Sequence, residues 1–339
     1  MKRAALIGLG MVAGTFAEAL ANSRLVRLAA VHARRPESRA AFLAAHPGLG
    51  ARAVDSVAAI AADPSIDFAI LATPPDARRA TVEVLARAGK PILMEKPVER
   101  TLAAATELVE ICEAAGVPLG IVLQHRARPA MAELRRRLPG LGPLRAVEVA
   151  VPWWRPQSYY DVPGRGAYAR DGGGVLITQA IHTLDLMLTL AGPVAEVTAM
   201  AATTGFHAME AEDFVTAGLR FETGAVGQLF ATTASFPGRG ETVTLHGQHG
   251  SARLEAGTVR IDRQDGTQEV IGQSAASGAG ADPMAFTSDW HRAIIEDFAQ
   301  ALTENRPPLV PGREALKVHR LIAALERSAA SEATIIPPT

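Results

Sequence analysis

Short apolar runs alternate with helix-like stretches along the first third of the chain. The runs have the length and composition of strands buried on both faces of a parallel sheet. They occupy residues 4–7, 25–31, 51–54, 68–72, 92–94 and 118–123. Because helices fall between successive strands, the pattern predicts the α/β fold class, with a doubly wound parallel sheet over residues 1–123.

Beyond residue 123 the pattern changes to a mixture of helices and half-buried strands. Helical periodicity covers residues 129–137, 175–190, 289–303 and 312–330, and strand-like segments cover 144–151, 196–201, 214–221, 225–233 and 242–246, with a hairpin at Ala256-Gly257. Strands that follow one another without intervening helices favour antiparallel pairing. Residues 124–339 are therefore predicted to form an α+β domain with a large open, mostly antiparallel sheet.

Composition excludes several classes of protein. The 339 residues include 34 Lys and Arg against 35 Asp and Glu, so the net charge of −1 gives no electrostatic case for nucleic acid or an anionic membrane. The single Cys112 rules out an internal disulfide and a cysteine-rich metal site. We expect no signal peptide, because the first residues resemble a strand and not an apolar leader, and no apolar run reaches the roughly 18 residues of a membrane span. These features favour a cytoplasmic location.

A glycine motif follows the first strand. Gly8-x-Gly10-x-x-Ala13 lies between an apolar run and a helical pattern, which is the arrangement of a dinucleotide site in a Rossmann domain. Gly8 makes the tight turn, Gly10 admits the pyrophosphate, and the phosphates meet the helix start near Met11 and Val12.

The second strand lacks the acid that binds the ribose hydroxyls of NAD. The chain there reads His32-Ala33-Arg34-Arg35. Two guanidinium groups beside the small Ala33 suit a 2′-phosphate, so NADP is the predicted cofactor and NAD remains possible. The alternative is that both arginines are solvated charges at a helix start.

The run 92–94 ends in Glu95-Lys96-Pro97. Open parallel sheets bind ligands at the carboxyl ends of their strands, so Glu95 and Lys96 are predicted to face the cofactor. Thr73 and Pro74, after the preceding strand, line the same crevice. The alternative is an ordinary lysine that closes a strand–helix loop.

One helix carries a polar stripe. Within residues 175–190, Thr178, His182 and Asp185 share one side of an otherwise apolar helix. His182 is either a hydrogen-bonded core histidine or a proton-transferring group that faces the cofactor. A metal site is not predicted, because no second His, Cys or acid has suitable spacing.

Aromatic residues are concentrated between the Glu95-Lys96-Pro97 segment and the helix at residues 175–190. All three tyrosines and two of the three tryptophans lie within residues 153–168 of a chain that is 5% aromatic. This concentration indicates a binding surface, and a clamped structural loop is the alternative.

The motifs together resemble the Gfo/Idh/MocA family, the dehydrogenases similar to glucose–fructose oxidoreductase and inositol dehydrogenase. They are Gly8-x-Gly10-x-x-Ala13, Glu95-Lys96-Pro97, Gly172-Gly173-Gly174 followed by His182 and Asp185, and Trp290-His291. The likeness covers essentially the whole chain. It implies a Rossmann domain plus an open-sheet domain that oligomerises face to face as a homodimer or homotetramer.

The resemblance also implies roles for individual residues. Lys96 takes the place of the family's lysine near nicotinamide and the reacting hydroxyl, and His182 that of its histidine. Thr178 stands where many members have an acid, and Arg78 stands where they have a histidine. The predicted substrate contacts are Lys96, Arg126, Tyr160, Arg165, Thr178 and His182.

These observations predict an NAD(P)-dependent dehydrogenase. It would interconvert a secondary alcohol and a ketone on a sugar, sugar acid or cyclitol by hydride transfer, with Lys96 and His182 as the catalytic residues. The alternative is a cofactor-binding regulatory or assembly protein of the same fold without turnover. Intact Lys96 and His182 favour the enzyme.

Overall fold

The first sheet follows the predicted alternation of strands and helices. A computed structural model of the protein describes residues 1–274 and 278–338. The elements up to residue 122 are β1 (Lys2–Ile7), α1 (Ala13–Ala21), β2 (Val26–His32), α2 (Pro36–Ala45), β3 (Arg52–Ala53), α3 (Val57–Ala62), β4 (Phe68–Leu71), α4 (Arg79–Arg87), β5 (Ile92–Glu95), α5 (Leu102–Ala114) and β6 (Leu119–Val122). The strands pair in parallel in the order β3-β2-β1-β4-β5-β6. The predicted doubly wound sheet is confirmed.

Burial explains why these short runs become central strands. Every residue of β4, β5 and β6 is buried, so both faces of the sheet are covered and no polar alternation is needed. The order of the strands reverses between β1 and β4, and their carboxyl ends therefore meet at the switch point where this fold binds ligands.

The second sheet has eight strands. The elements from residue 129 to 271 are α6 (Pro129–Arg137), β7 (Leu144–Pro152), α7 (Gln157–Tyr160), α8 (Ile181–Ala191), β8 (Val194–Ala202), β9 (Phe214–Phe221), β10 (Val226–Thr232), β11 (Thr242–Gly247), β12 (Gly250–Glu255), β13 (Thr258–Arg263) and β14 (Gln268–Ile271). The strand order is β14-β13-β12-β11-β7-β10-β9-β8. Among the strand pairs that the described residues form in this sheet, only β7 and β10 run parallel, which confirms the mostly antiparallel prediction.

The two faces of this sheet differ. Val149, Leu229 and other apolar side chains are buried on one face, where α8 packs against β7 and β11. The opposite face carries the exposed Met200 together with Thr216 and Phe230, which lie side by side in the strand register.

The last two helices are α9 (Asp289–Glu304) and α10 (Gly312–Ser331). The chain divides into two compact units, the first with Met1–Gln124 and Ser288–Leu316 and the second with His125–Thr287 and Lys317–Thr339. This division differs from the predicted domains 1–123 and 124–339.

The physical reason for the difference is the apolar side of α9. It packs against α1, β2 and β6 of the first unit, and the ring of Phe298 lies 5.3 Å from that of Phe68. No helix of the described ranges is both long enough and apolar enough to cross a membrane.

The polar-striped helix is not one continuous α-helix. Residues Leu176–Ala180 form a π-helical turn that precedes α8, a feature often found next to functional groups. Gly174 must be glycine, because a Cβ there would lie 1.7 Å from the carbonyl oxygen of Glu212. The Glu212 carboxylate in turn accepts hydrogen bonds from the amides of Gly174 and Leu176 at 3.0 and 3.1 Å. The buried Glu212 therefore fixes the start of the helix that carries His182.

Candidate active site

The ends of β1, β2 and β4 in the first unit surround a cavity of about 770 Å³. Seven of the residues predicted to bind the cofactor line it together: Gly8, Gly10, Ala33, Arg34, Arg35, Thr73 and Pro74. The strand order brings them to one edge although they are separated along the chain. The crevice expected from the sequence is therefore present at the switch point of the sheet.

The two glycines of the motif act differently. Gly8 has a φ of +99°, and a Cβ on it would lie 2.7 Å from backbone atoms of Ala72 and Thr73. A Cβ on Gly10 would meet no protein atom within 4 Å and would instead occupy space at the cavity wall. This is the open backbone approach that a pyrophosphate at a helix start requires. Met11 and Val12 do not line the cavity, and their contact with the cofactor stays a prediction.

The loop after β2 presents two arginines on a fixed backbone. Arg39 is buried, and it donates to the carbonyl of Ala33 at 2.8 Å and to the Asp55 carboxylate at 2.7 Å. Arg34 and Arg35 are exposed, and among residues 1–274 and 278–338 neither has an ion pair. Their guanidinium groups are available to an anion.

The end of β5 contacts helix α9 through Glu95. Lys96 is half-buried, and its bond to Pro97 is cis. Glu95 is 6% exposed and lies outside the lining of the cavity, with its carboxylate 3.5 Å from Nε2 of His291. Glu95 is therefore buried next to His291 of α9, and its contact with the cofactor stays a prediction.

Arg78 joins two strand ends through backbone carbonyls. Its side chain is 2% exposed, and Nε and Nη2 donate to the Thr73 carbonyl at 3.1 and 2.9 Å. Nη1 donates to the carbonyls of Glu95 at 2.5 Å and Val98 at 3.2 Å, and it also contacts that of Pro97. Residues on both sides of Lys96 are therefore fixed to the loop after β4.

Arg78 stays charged in spite of its burial. Desolvation lowers the pKa of its guanidinium to about 10, against the opposing charges of Glu95, Glu99 and Asp76. A pKa of about 10 leaves the group protonated at neutral pH. The site therefore has a fixed buried cation beside the carboxyl end of β5.

His182 is in the first turn of α8 in the second unit and is 6% exposed. Its ring lies 4.7 Å from that of His125, with 30° between the ring planes. Thr178, expected to assist it, donates its hydroxyl to the Gly174 carbonyl at 2.5 Å within its own helix. The histidine that flanks His182 was not predicted from the sequence.

Arg126 was predicted to contact substrate, but its guanidinium group is bound to Asp185. Nε and Nη2 lie 2.7 and 2.6 Å from the two carboxylate oxygens in a bidentate pair, and Asp185 is 1% exposed. A buried carboxylate requires such a partner. The pair accounts for Asp185 on the polar stripe and gives Arg126 a structural role.

A second buried ion pair lies next to the first. Nη2 of Arg128 is 2.6 Å from Oε1 of Glu241 and 2.8 Å from Nε2 of His125. Burial lowers the pKa of Arg128, and the charge of Glu241 opposes that shift. None of these three side chains was singled out in the sequence, because a basic residue at the start of a helix normally indicates a solvated surface.

Part of the aromatic segment is a clamped loop, whereas Tyr168 in the same segment is exposed. Trp153 is 5% exposed and Tyr160 is 7% exposed, and the Tyr160 hydroxyl lies 2.7 Å from Oγ1 of Thr233. Burial raises the pKa of Tyr160. Arg155, also buried, donates to the carbonyls of Gly278 and Gly280. The Tyr160 hydroxyl thus has an internal hydrogen-bond partner, and its contact with substrate stays a prediction.

Arg165 keeps an accessible position. It is half-buried, and its guanidinium carbon lies 4.3 Å from the ring centroid of Tyr159, which is a cation–π geometry. Within residues 1–274 and 278–338 its guanidinium group has no ion pair, so it can reach a substrate.

Family models match most of the chain. Residues 2–122 match an oxidoreductase family with an NAD-binding Rossmann fold, and residues 139–253 match the GFO/IDH/MocA C-terminal domain.

Individual relatives are similar over most of their length. A D-apiose dehydrogenase of Paraburkholderia graminis is 30% identical, over 83% of this chain and 75% of that protein. A 1,5-anhydro-D-fructose reductase of Ensifer adhaerens is 30% identical over 81% of each chain. The WlbA dehydrogenase of Bordetella pertussis, solved with NADH and UDP-GlcNAcA, is 29% identical with a TM-score of 0.84, over 100% of this chain and 99% of that one.

We expect Arg78→Met to destabilise the protein by about 3 kcal/mol or more, because it leaves several buried backbone carbonyls without a donor. Arg78→Lys keeps the charge without the planar fork and should give a smaller loss. Urea unfolding measures both, and Arg79→Met, a neighbour with exposed ion pairs to Glu83 and Glu107, is the control with little expected change. An unchanged midpoint for Arg78→Met would contradict this role.

Proposed function

This chain belongs to the GFO/IDH/MocA family of oxidoreductases, and we propose that it interconverts a secondary alcohol and a ketone on a sugar, sugar acid or cyclitol. The observation that carries the proposal is the place of Lys96. It follows β5, the strand next to β4, and β4 ends at the wall of the dinucleotide-sized cavity. The names of the relatives, two of them enzymes acting on sugars, favour turnover over a regulatory or assembly protein.

The residues at the edge of the sheet fit a nicotinamide dinucleotide. Gly10 leaves room for a pyrophosphate, and the start of α1 offers amides without a side-chain cap. The bound cofactor supplies the hydride acceptor or donor. The protein's own contribution is to bind and orient the reactants and to move the proton.

Two residues divide the proton chemistry. Lys96 stabilises negative charge on the reacting oxygen, since an ammonium group lowers the energy of a developing alkoxide. His182 accepts the hydroxyl proton during oxidation and returns it during reduction. Arg165 contacts the substrate, whereas Arg126 and Tyr160 are left to the internal contacts already described.

The cofactor is NADP in this proposal. No acid follows β2, and the two exposed arginines there line the cavity without ion pairs within the described part of the chain. A 2′-phosphate would provide their partner, because guanidinium groups bind phosphate oxygens in a bidentate way.

We expect Arg34→Ala to raise the dissociation constant for NADP⁺ by about tenfold or more and to leave that for NAD⁺ nearly unchanged, because it removes a charge-assisted contact to the 2′-phosphate alone. Calorimetric titration of both cofactors measures this. Arg87→Ala, which removes an exposed arginine at the end of α4, is the matched control. Equal losses for both cofactors would rule out the assignment.

We expect Lys96→Met to lower kcat by about two to three orders of magnitude, the scale for loss of one oxyanion-stabilising donor. His182→Asn should lower it by about 10²–10⁴, the range for a general acid–base. Both variants should retain NADP⁺ binding. The assay is NADPH formation over a panel of polyols, sugars and sugar acids.

Two outcomes of this assay would contradict the roles. If Lys96→Met turns over at a near-normal rate, the lysine only closes a loop. If His182→Asn does so, the proton moves through another group.

The open face of the second sheet is proposed as the surface of a homodimer or homotetramer. Met200 is 60% exposed there, and the rings of Phe214 and Phe230 lie 5.5 Å apart in the neighbouring strands. A face with exposed apolar side chains gains stability when a second copy covers it.

We expect light scattering to show an oligomer at micromolar concentration, and Met200→Glu to shift it towards the monomer by placing a charge in the interface. Leu25→Glu, at an exposed apolar residue of the first unit, is the control and should leave the assembly intact. A monomeric wild-type protein would refute the proposal.

A further inference from the structure

The turn at residues 125–128 begins the second unit. Two contacts connect it to the start of α8. The His125 ring stacks on the His182 ring at 4.7 Å, and Arg126 holds Asp185 through two hydrogen bonds. Asp185 comes one helical turn after His182. The Arg126–Asp185 pair therefore fixes where residues 125–128 lie along α8. The contact between the two rings then places His125 beside His182.

The protonation state of His125 follows from its contact with Arg128. A guanidinium group has donors and no acceptor, so the 2.8 Å contact requires an unprotonated Nε2 on His125. The neutral imidazole then carries its proton on Nδ1. That nitrogen lies 4.0 Å from Oε1 of Glu241, on the side where a carboxylate favours an N–H group.

Adding a proton to His125 would be costly. It would place a second cation against Arg128 and break the hydrogen bond between them, within a cluster whose three side chains are each 3% exposed or less. His125 is therefore held in one tautomer and one charge state by the Arg128–Glu241 pair.

We propose that His125 is the positioning residue for His182. Its ring, locked by Arg128, holds the plane of the His182 imidazole, a task that an acid at position 178 would otherwise perform. The Thr178 hydroxyl lies 2.5 Å from the carbonyl oxygen of Gly174, just before the π-helical turn, and it also contacts the side-chain oxygen of Gln179. Because His125 is held neutral, a proton taken up by the stack resides on His182.

This inference rests on the proposed function, since it concerns the residue that moves the substrate's proton. A purely structural histidine would lower stability when replaced, but it would not act through His182. The two roles differ in how replacements of His125 and His182 combine.

The first measurement uses the unaltered protein. In a long-range ¹H–¹⁵N correlation spectrum of protein labelled with ¹⁵N-histidine, His125 should show a protonated Nδ1 and an unprotonated Nε2 at pH 7. Its signals are assigned by their loss in His125→Phe. A protonated Nε2 would overturn the proposal without reference to any variant's activity.

The second measurement is a double-mutant cycle in kcat. His125→Leu should lower kcat by about 10- to 100-fold, the range for groups that orient a functional histidine, with little change in the KM for NADP⁺. His125→Phe keeps a ring for the stack and should lose less. When His182 is already Asn, His125→Leu should cause almost no further loss.

The outcomes separate the two claims. If His182→Asn is slow while His125→Leu retains kcat within twofold of the unaltered protein, His182 is catalytic and the positioning role fails. A full additional loss from His125→Leu in the His182→Asn background also overturns it. If His182→Asn itself is fully active, the proposed proton transfer fails first.

Discussion

The site in the first unit depends on one buried guanidinium group. Parallel strands end with carbonyl groups that have no partner in the sheet, and such groups are costly when they are shielded from water. Arg78 meets this need at two strand ends at once, since its planar fork reaches Thr73 on one side and Glu95 and Val98 on the other. Its charge in turn is stable only because those acceptors surround it. The backbone on both sides of Lys96 is fixed as a result.

The second unit uses the same physical means for His182. Arg126 and Arg128 come from one short turn, and each binds a carboxylate that is at most 2% exposed. One pair holds the helix that carries His182, and the other holds the histidine stacked on it. Arginines thus support both residues proposed to act on the substrate oxygen: Arg78 supports Lys96, and the two ion pairs support His182. Neither ion pair was expected from the charges in the sequence.

The motifs that could be predicted from the sequence are those that depend on a few neighbouring residues. Gly8 and Gly10 are recognisable because a turn and a phosphate restrict the backbone over a few residues, and Lys96 because a strand end has a known place in an open sheet. The strand runs were confirmed for the same reason. The tip of β5 and the lining of the cavity follow from these short-range patterns.

The remainder depends on contacts between residues far apart in the chain. Nothing near Arg78 indicates that it reaches carbonyls about 20 residues away. Helix α9 has an ordinary amphipathic pattern. Its sequence does not show that Phe298 packs against Phe68 of the first sheet. His125 was not singled out, and the internal contact of Tyr160 was not foreseen, because the sequence shows which side chains are polar, but not whether an internal partner such as Arg128 or Thr233 will satisfy them.

The central claim is that this protein passes hydride between a polyol or sugar carbon and a nicotinamide held at the edge of the first sheet. The most direct measurement is isotope transfer: the protein is incubated with NADP⁺ and a mixture of carbon-deuterated polyols and sugars, and the NADPH formed is analysed by mass spectrometry. We expect NADPH that is one mass unit heavier, formed in a 1:1 ratio with a ketone product. Unlabelled NADPH, or none with any member of the panel, would contradict it.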